Sequence, residues 1–217
     1  MITDAWKSQK GLTLIELMIA VFLSIFIVGA MISVFGNSKQ NYRLNENMSR
    51  LQENARFAVS FIARDIRMAD YHACVIADSR ADAITGLNDT GLNGSDAITI
   101  IYRSNACDAA SATIITRAYS IQTGANGGPA LFRSVDGGAA EELVEGIENL
   151  QILYGEDTDN DHIPNYFVDA ASITDWAQAI SVRVTLIART LEDRVTPGGS
   201  RITRNFTSTV TLRNRLP

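Results

Sequence analysis

The stretch Lys10-Gly11-Leu12-Thr13-Leu14-Ile15-Glu16-Leu17 opens an apolar run that continues to Phe35 and is interrupted early by one acid, Glu16. From Leu17 to Phe35 the only polar side chains are Ser24 and Ser33. At about 1.5 Å per residue such a helix is long enough to cross roughly 30 Å of hydrocarbon. A carboxylate inside that segment costs about 3 kcal/mol on insertion scales, so its presence asks for a purpose. Lys7, Lys10 and the terminal amine outweigh Asp4 and hold the N-terminal end in the cytoplasm. The residues after Phe35 (Gly36-Asn37-Ser38-Lys39-Gln40-Asn41) fit a secretory cleavage site poorly. The plainest alternative is an uncleaved signal anchor with a stray acid near its cytoplasmic edge.

After Phe35 the pattern changes from apolar all round to amphipathic but stays helical. Met48, Leu51, Ala55, Ala58, Ile62, Ile66 and Ala69 recur at steps of three and four, one shallow apolar stripe. No proline precedes Pro129, so the spacing predicts one helix from Leu12 to about Ala69, roughly 87 Å long. Gly29 and Gly36 are its expected soft points, each about 1 kcal/mol worse than alanine. Past Tyr71 the composition turns to Gly, Asn, Asp, Ser and Thr. Asp78 to Ser95 reads as a long loop. Short alternating runs follow at Ile98–Tyr102, Thr113–Ile121 and Ala130–Val135, the last after the turn Gly127-Gly128-Pro129. Leu143 to Tyr154 is ambiguous, with a strand-like end. Ile180 to Leu186 and Phe206 to Leu212 alternate most clearly. The expectation is an antiparallel sheet with one buried face laid on the amphipathic half of the helix, an α+β fold.

The 217 residues leave room for one globular domain after the apolar segment. The net charge is −5 and the pI about 5.0, so no general nucleic-acid-binding surface is indicated. Cys74 and Cys107 would both lie outside the cytoplasm, where disulfides persist. A bridge would close a loop of about 34 residues, worth about 3–4 kcal/mol in the chain-entropy model. The alternative is two buried free thiols. A metal site on them is disfavoured, because only His72 and His162 could complete it. Neither histidine has a recognisable nucleophile partner, and no hydrolase, metalloprotease or phosphate-loop motif occurs, so no enzyme is expected.

Tyr154-Gly155-Glu156-Asp157-Thr158-Asp159-Asn160-Asp161-His162 carries three aspartates at alternate positions. A tight loop with that spacing can aim oxygens at one point, which suits Ca²⁺ better than the stricter Mg²⁺. The ligand set read from the sequence is Asp157, Asp159, Asp161, the Ile163 carbonyl, Asn165 and Asp169, with Glu156 as a substitute. His162 stands where a glycine would make the sharp turn and Val168 where a closing acid would stand. A true EF-hand is therefore not expected; the alternative is a solvated acidic turn.

The N-terminal stretch resembles the class III signal of type IV pilins and pseudopilins. Gly11 matches the glycine before the cut, Leu12 the new and often N-methylated first residue, and Glu16 the family's glutamate. Leu12 departs mildly, since many members have Phe there. Leu143-Val144-Glu145-Gly146-Ile147-Glu148-Asn149-Leu150, the aspartate loop to Asp169, and Thr209-Val210-Thr211-Leu212-Arg213-Asn214-Arg215 are similar to the PilW family of minor pilins. The resemblance implies a pilin-like fold with a leader over 1–11, a membrane or filament-core helix half over 12–35, an amphipathic half over 36–71 and a periplasmic β-rich head over 72–217. It implies insertion in the inner membrane with the head in the periplasm, then entry into the pilus at or near its tip. The implied partners are prepilin peptidase, the inner-membrane assembly machinery, other minor pilins, the major pilin and a tip adhesin. Cleavage would free an amine at Leu12, and Glu16 of one subunit could pair with the amine of its neighbour, selecting register. The alternatives are a minor pseudopilin of a type II secretion system and a signal-anchored calcium-binding or adhesive receptor.

Overall fold

A computed structural model describes residues 11–72, 81–103, 113–193 and 199–216. Cys74 and Cys107, and with them the expected disulfide, lie outside the described residues, as do Pro197 and Gly198 of the loop before the last strand. The chain divides into two compact units, residues 1–45 and 46–217. One helix, α1 (Leu14–Met68), supplies residues to both.

From Leu17 to Phe35, within the first unit, α1 is apolar on every side. Its most apolar 18-residue window has a mean hydropathy of 2.7, and none of that window is buried. Helix continues through Gly29 and Gly36 without interruption. A helix hydrophobic all round must be covered by lipid or by other helices.

In the second unit the stripe expected from the sequence is the buried one. Leu51, Ala55, Ala58, Ile62, Ile66 and Ala69 are buried, with Ala63 beside them. Two polar side chains of α1, Asn47 and Asp65, are buried with the stripe, which the periodicity did not indicate. Asp65 is tolerated because the Tyr119 hydroxyl donates to its Oδ2 at 2.6 Å. Burial and that carboxylate together push the Tyr119 hydroxyl well above its ordinary value.

Two antiparallel sheets, not one, meet the helix. The first has the order β1 (Ile84–Leu87), β2 (Ala97–Arg103), β3 (Ile114–Thr123), β4 (Pro129–Val135), β5 (Glu141–Glu145). The second has the order β7 (Tyr166–Val168), β6 (Ile147–Glu156), β8 (Ala179–Arg189), β9 (Thr203–Thr211). Ile98, Ile100, Tyr119 and Leu131 of the first join Leu150, Ile152, Val182, Val184 and Val210 of the second in one core with α1. Each such side chain contributes about 1.5–3 kcal/mol by leaving water, and the helix alanines let the strands come close.

The ambiguous run Leu143 to Tyr154 is where the chain changes sheet. Gly146 separates β5 from β6 at a φ of +76°. A Cβ there would stand 2.8 Å from Leu191 Cδ2 and 3.0 Å from the Arg189 carbonyl oxygen. Its N–H donates to Pro129 beside the first sheet, and its C=O accepts from Arg189 of the second. Alternation reads the same on both sides of such a break, so a single sheet was the natural expectation.

The expected loop before Ser95 is also partly strand. β1 pairs with β2 from Ile84↔Ile100 to Leu87↔Ala97, between one-turn 3₁₀ segments at Ala81–Ala83 and Leu92–Gly94. Gly86, a turn former by composition, sits inside β1 because the Tyr154 hydroxyl fills the place of its side chain; a Cβ would lie 2.1 Å from that oxygen.

Candidate functional site

The acid at the start of α1 is part of a reciprocal cap. Glu16 N–H donates to Thr13 Oγ1 at 3.3 Å. Thr13 N–H and its hydroxyl donate to Glu16 Oε2 at 3.2 and 3.1 Å. This is the Thr-x-x-Glu capping box, which satisfies two otherwise orphaned donors of the first turn and sets a negative charge at the positive helix end. The sequence Thr13-Leu14-Ile15-Glu16 itself carries this signature. Gly11 and Leu12 precede the helix in exposed, non-helical backbone. Cleavage there would leave the new amine one residue from the capped Thr13.

At the far end of α1 the C-terminal segment closes the helix. Asn214 Nδ2 donates to the carbonyls of Arg67 at 3.1 Å and Ala69 at 2.9 Å, two acceptors that a helix C-terminus leaves open. Arg215 Nε lies 3.6 Å from Asp70 Oδ2, and its Nη1 donates to the carbonyls of Trp176 and Ala179. Both side chains of this pair are almost wholly buried, at 5% and 2% exposure. Burial pulls the Arg215 guanidinium below its ordinary value while Asp70 opposes that shift. The segment Thr209–Arg215 is therefore a clasp that joins the end of α1 to the second sheet.

The three alternating aspartates do converge. Asp157, Asp159 and Asp161 each place a carboxylate oxygen within 4.8 Å of the other two. Asp157 accepts from the N–H of Asp161 at 3.3 Å and of His162 at 2.9 Å. Asn165 Oδ1 accepts from Thr158, and its Nδ2 donates to Asp159 at 3.3 Å. The sharp turn that seemed to need glycine is made by Asn160 and His162 at φ of 59° and 67°. Burial raises the Asp157 carboxyl, but its several backbone hydrogen bonds win and hold it below the ordinary range. Of the rest of the expected ligand set, Asp169 accepts from Ser172 N–H at 2.8 Å through one oxygen, and Ile163 gives its N–H, not the carbonyl expected as a ligand, to Asp161. Glu156 accepts at Oε1 from the Thr174 hydroxyl at 2.7 Å, Thr174 N–H at 2.9 Å and Asp175 N–H at 3.0 Å, anchoring the 170s loop. Burial raises its carboxyl, and these hydrogen bonds outweigh that effect and lower it. The loop also contains β7, a three-residue strand on β6 that composition did not indicate. Val168, placed by the sequence where a closing acid would be, belongs to this strand.

His72 Nδ1 lies 2.8 Å from the Asp70 carbonyl oxygen, and the main-chain N–H of His162 donates to Asp157.

A long helix that is apolar at one end, capped by an acid in its first turn and packed on antiparallel sheets at the other defines the pilin class. Residues 6–32 match the prokaryotic N-terminal methylation motif, and residues 118–214 match the family model of type IV pilus-assembly protein W. The C-terminal part of the chain is thus similar to the PilW family of type IV pilus proteins, and its N-terminus to the methylated start of prokaryotic pilins. Among solved structures, a type IV-like pilin from Thermus thermophilus is similar at 11% identity and a TM-score of 0.45, over 77% of this chain and 99% of that one. No curated protein matches. The methylation motif and the apolar helix make this a membrane-anchored pilin, a structural protein that enters a pilus after processing.

Proposed function

We propose that this chain is a minor pilin that helps to initiate or cap type IV pilus assembly. Prepilin peptidase cuts after Gly11, Leu12 is N-methylated, and the head stays in the periplasm until the subunit is drawn into the filament at or near its tip. The observation that carries this reading is the capped Glu16 at the head of an exposed, wholly apolar helix. A carboxylate costs about 3 kcal/mol within lipid. Its two bonds from Thr13 use one oxygen of the carboxylate, and the cleaved amine of a neighbouring subunit can neutralise it. Such a pairing selects register among stacked helices more than it adds stability. Partners in this reading are the assembly machinery of the inner membrane, the other minor pilins, the major pilin and a tip adhesin.

The test is the intact mass and the N-terminal fragment mass of the protein made with and without prepilin peptidase. Loss of residues 1–11 with a methylated Leu12 supports the reading. A full-length chain in both cells would overturn it in favour of a signal-anchored receptor. Deleting the gene then separates a pilus from a secretion pseudopilus: surface pili are lost in the first case and protein secretion in the second.

A further inference from the structure

Four strands lie at sheet edges, and they are not alike. β1, β5 and β7 run four, five and three residues. Short edges are the usual protection against unwanted pairing. β9 runs nine residues, Thr203–Thr211, and contains no proline or lysine. Its register with β8 shows no bulge from Ser181↔Thr211 to Arg189↔Thr203. Among the described residues its other edge pairs with no strand.

Beside that edge a groove separates β9 from α1. One part, about 450 Å³, lies between Val59, Ala63 and Arg67 of the helix and Phe206 to Ser208 of the strand. A second, about 260 Å³, lies between Met48 and Gln52 and the strand residues Arg204 to Phe206. Arg56 and Phe206 line both, so the two are continuous. The floor is apolar and the rim carries three exposed guanidiniums, Arg56, Arg67 and Arg204. Arg56 and Arg67 are eleven positions apart on the helix, about 16 Å, the span of about five strand residues.

We propose that an extended, acidic segment of another protein chain adds to β9 as a fifth strand of the second sheet. Its backbone bonds to the open edge of Thr203–Thr211. Its inward side chains alternate acidic and apolar: the apolar ones enter the groove over Val59, Ala63 and Phe206, and the carboxylates between and beyond them meet Arg56, Arg67 and Arg204. Main-chain bonds supply the affinity of such strand addition, and alternate side chains supply the choice of partner. The inference stands apart from the assembly role of Glu16 and from leader processing.

The experiment uses the full chain in detergent micelles and a nine-residue synthetic peptide with glutamate at positions 1, 5 and 9, valine at 3 and 7 and threonine between, so that glutamates and valines share one face. Controls are the counterpart with lysine for glutamate and the acidic peptide with proline at two central positions. The acidic peptide is expected to bind saturably and to slow amide exchange at alternate residues of β9. The lysine peptide should bind at least about tenfold more weakly, and so should the acidic peptide to the triple variant R56E/R67E/R204E, given three exposed ion pairs. All three arginines are on the surface, so the variant's unchanged melting temperature serves as the folding control. Equal binding of the proline peptide, or unchanged exchange in β9, would overturn strand addition. Equal binding of the lysine peptide would overturn the acidic specificity.

Discussion

Replacing Arg215 by alanine is expected to be among the most damaging single changes in the head. The guanidinium is 5% exposed, faces Asp70 at 3.6 Å and donates to two carbonyls. Its loss removes a close guanidinium from Asp70, 2% exposed, and two donors from the carbonyls of Trp176 and Ala179. Removing one partner of a buried pair costs about 3–5 kcal/mol, mostly the penalty of the stranded charge. In a unit of this size each kcal/mol lowers the melting temperature by about 2–4 °C, so the variant should melt roughly 6–20 °C lower. The assay is thermal unfolding of the full chain in detergent, followed by circular dichroism. The reasoning makes a second, sharper claim. If the weakened charge balance at Asp70 carries the cost, then adding Asp70→Asn to Arg215→Ala should recover part of the loss. A shift below about 2 °C for the single variant, or a double variant no more stable than the single one, would refute it.

Three further outcomes follow from the same geometry. Glu16→Gln keeps an oxygen for Thr13 but loses the charge, whereas Glu16→Ala loses both; if charge pairing directs assembly, both are inserted in the membrane yet both fail to enter pili, and normal incorporation of Glu16→Gln would leave only the cap. Glu156 and Asp157 have carboxyls held below their ordinary range, so their stabilisation is complete above the unfolded values near 4 and is lost as pH falls through the folded ones. Melting temperature should therefore drop on acidification from pH 5 to pH 3, and Glu156→Gln should flatten that slope; Asp96, raised by burial, acts in the opposite sense. Calcium at millimolar concentration is expected to raise the melting temperature through Asp157, Asp159 and Asp161, and identical melting with calcium and with EDTA would reduce the loop to a hydrogen-bonded turn.

Much of this architecture was legible because it depends on local period. The helix from Leu14 to Met68 and its buried stripe follow from steps of three and four, and β8 and β9 from clean alternation. What escaped was non-local. Nothing near Gly146 tells a reader that its N–H and C=O go to different sheets. Nothing near Gly86 announces Tyr154, 68 positions away, filling the space that makes glycine suitable in a strand. Asp65 and Asn47 broke the polar-outside rule because their partners, Tyr119 and Glu192, come from the head. The convergence of three aspartates was readable from spacing, but the diversion of Asp169 to Ser172 was set by a turn the sequence does not mark.

The glycine at the sheet boundary has a consequence for how the head is made. Residues 141–156 form one covalent seam that serves two fabrics at once, and Gly146 is the stitch they share. Neither sheet is complete without the other, because the seam supplies the edge strand β5 of the first and the interior strand β6 of the second. The head should therefore fold as one cooperative foldon, and cutting the chain at this glycine should yield two fragments that each fail to fold and recover structure only when mixed.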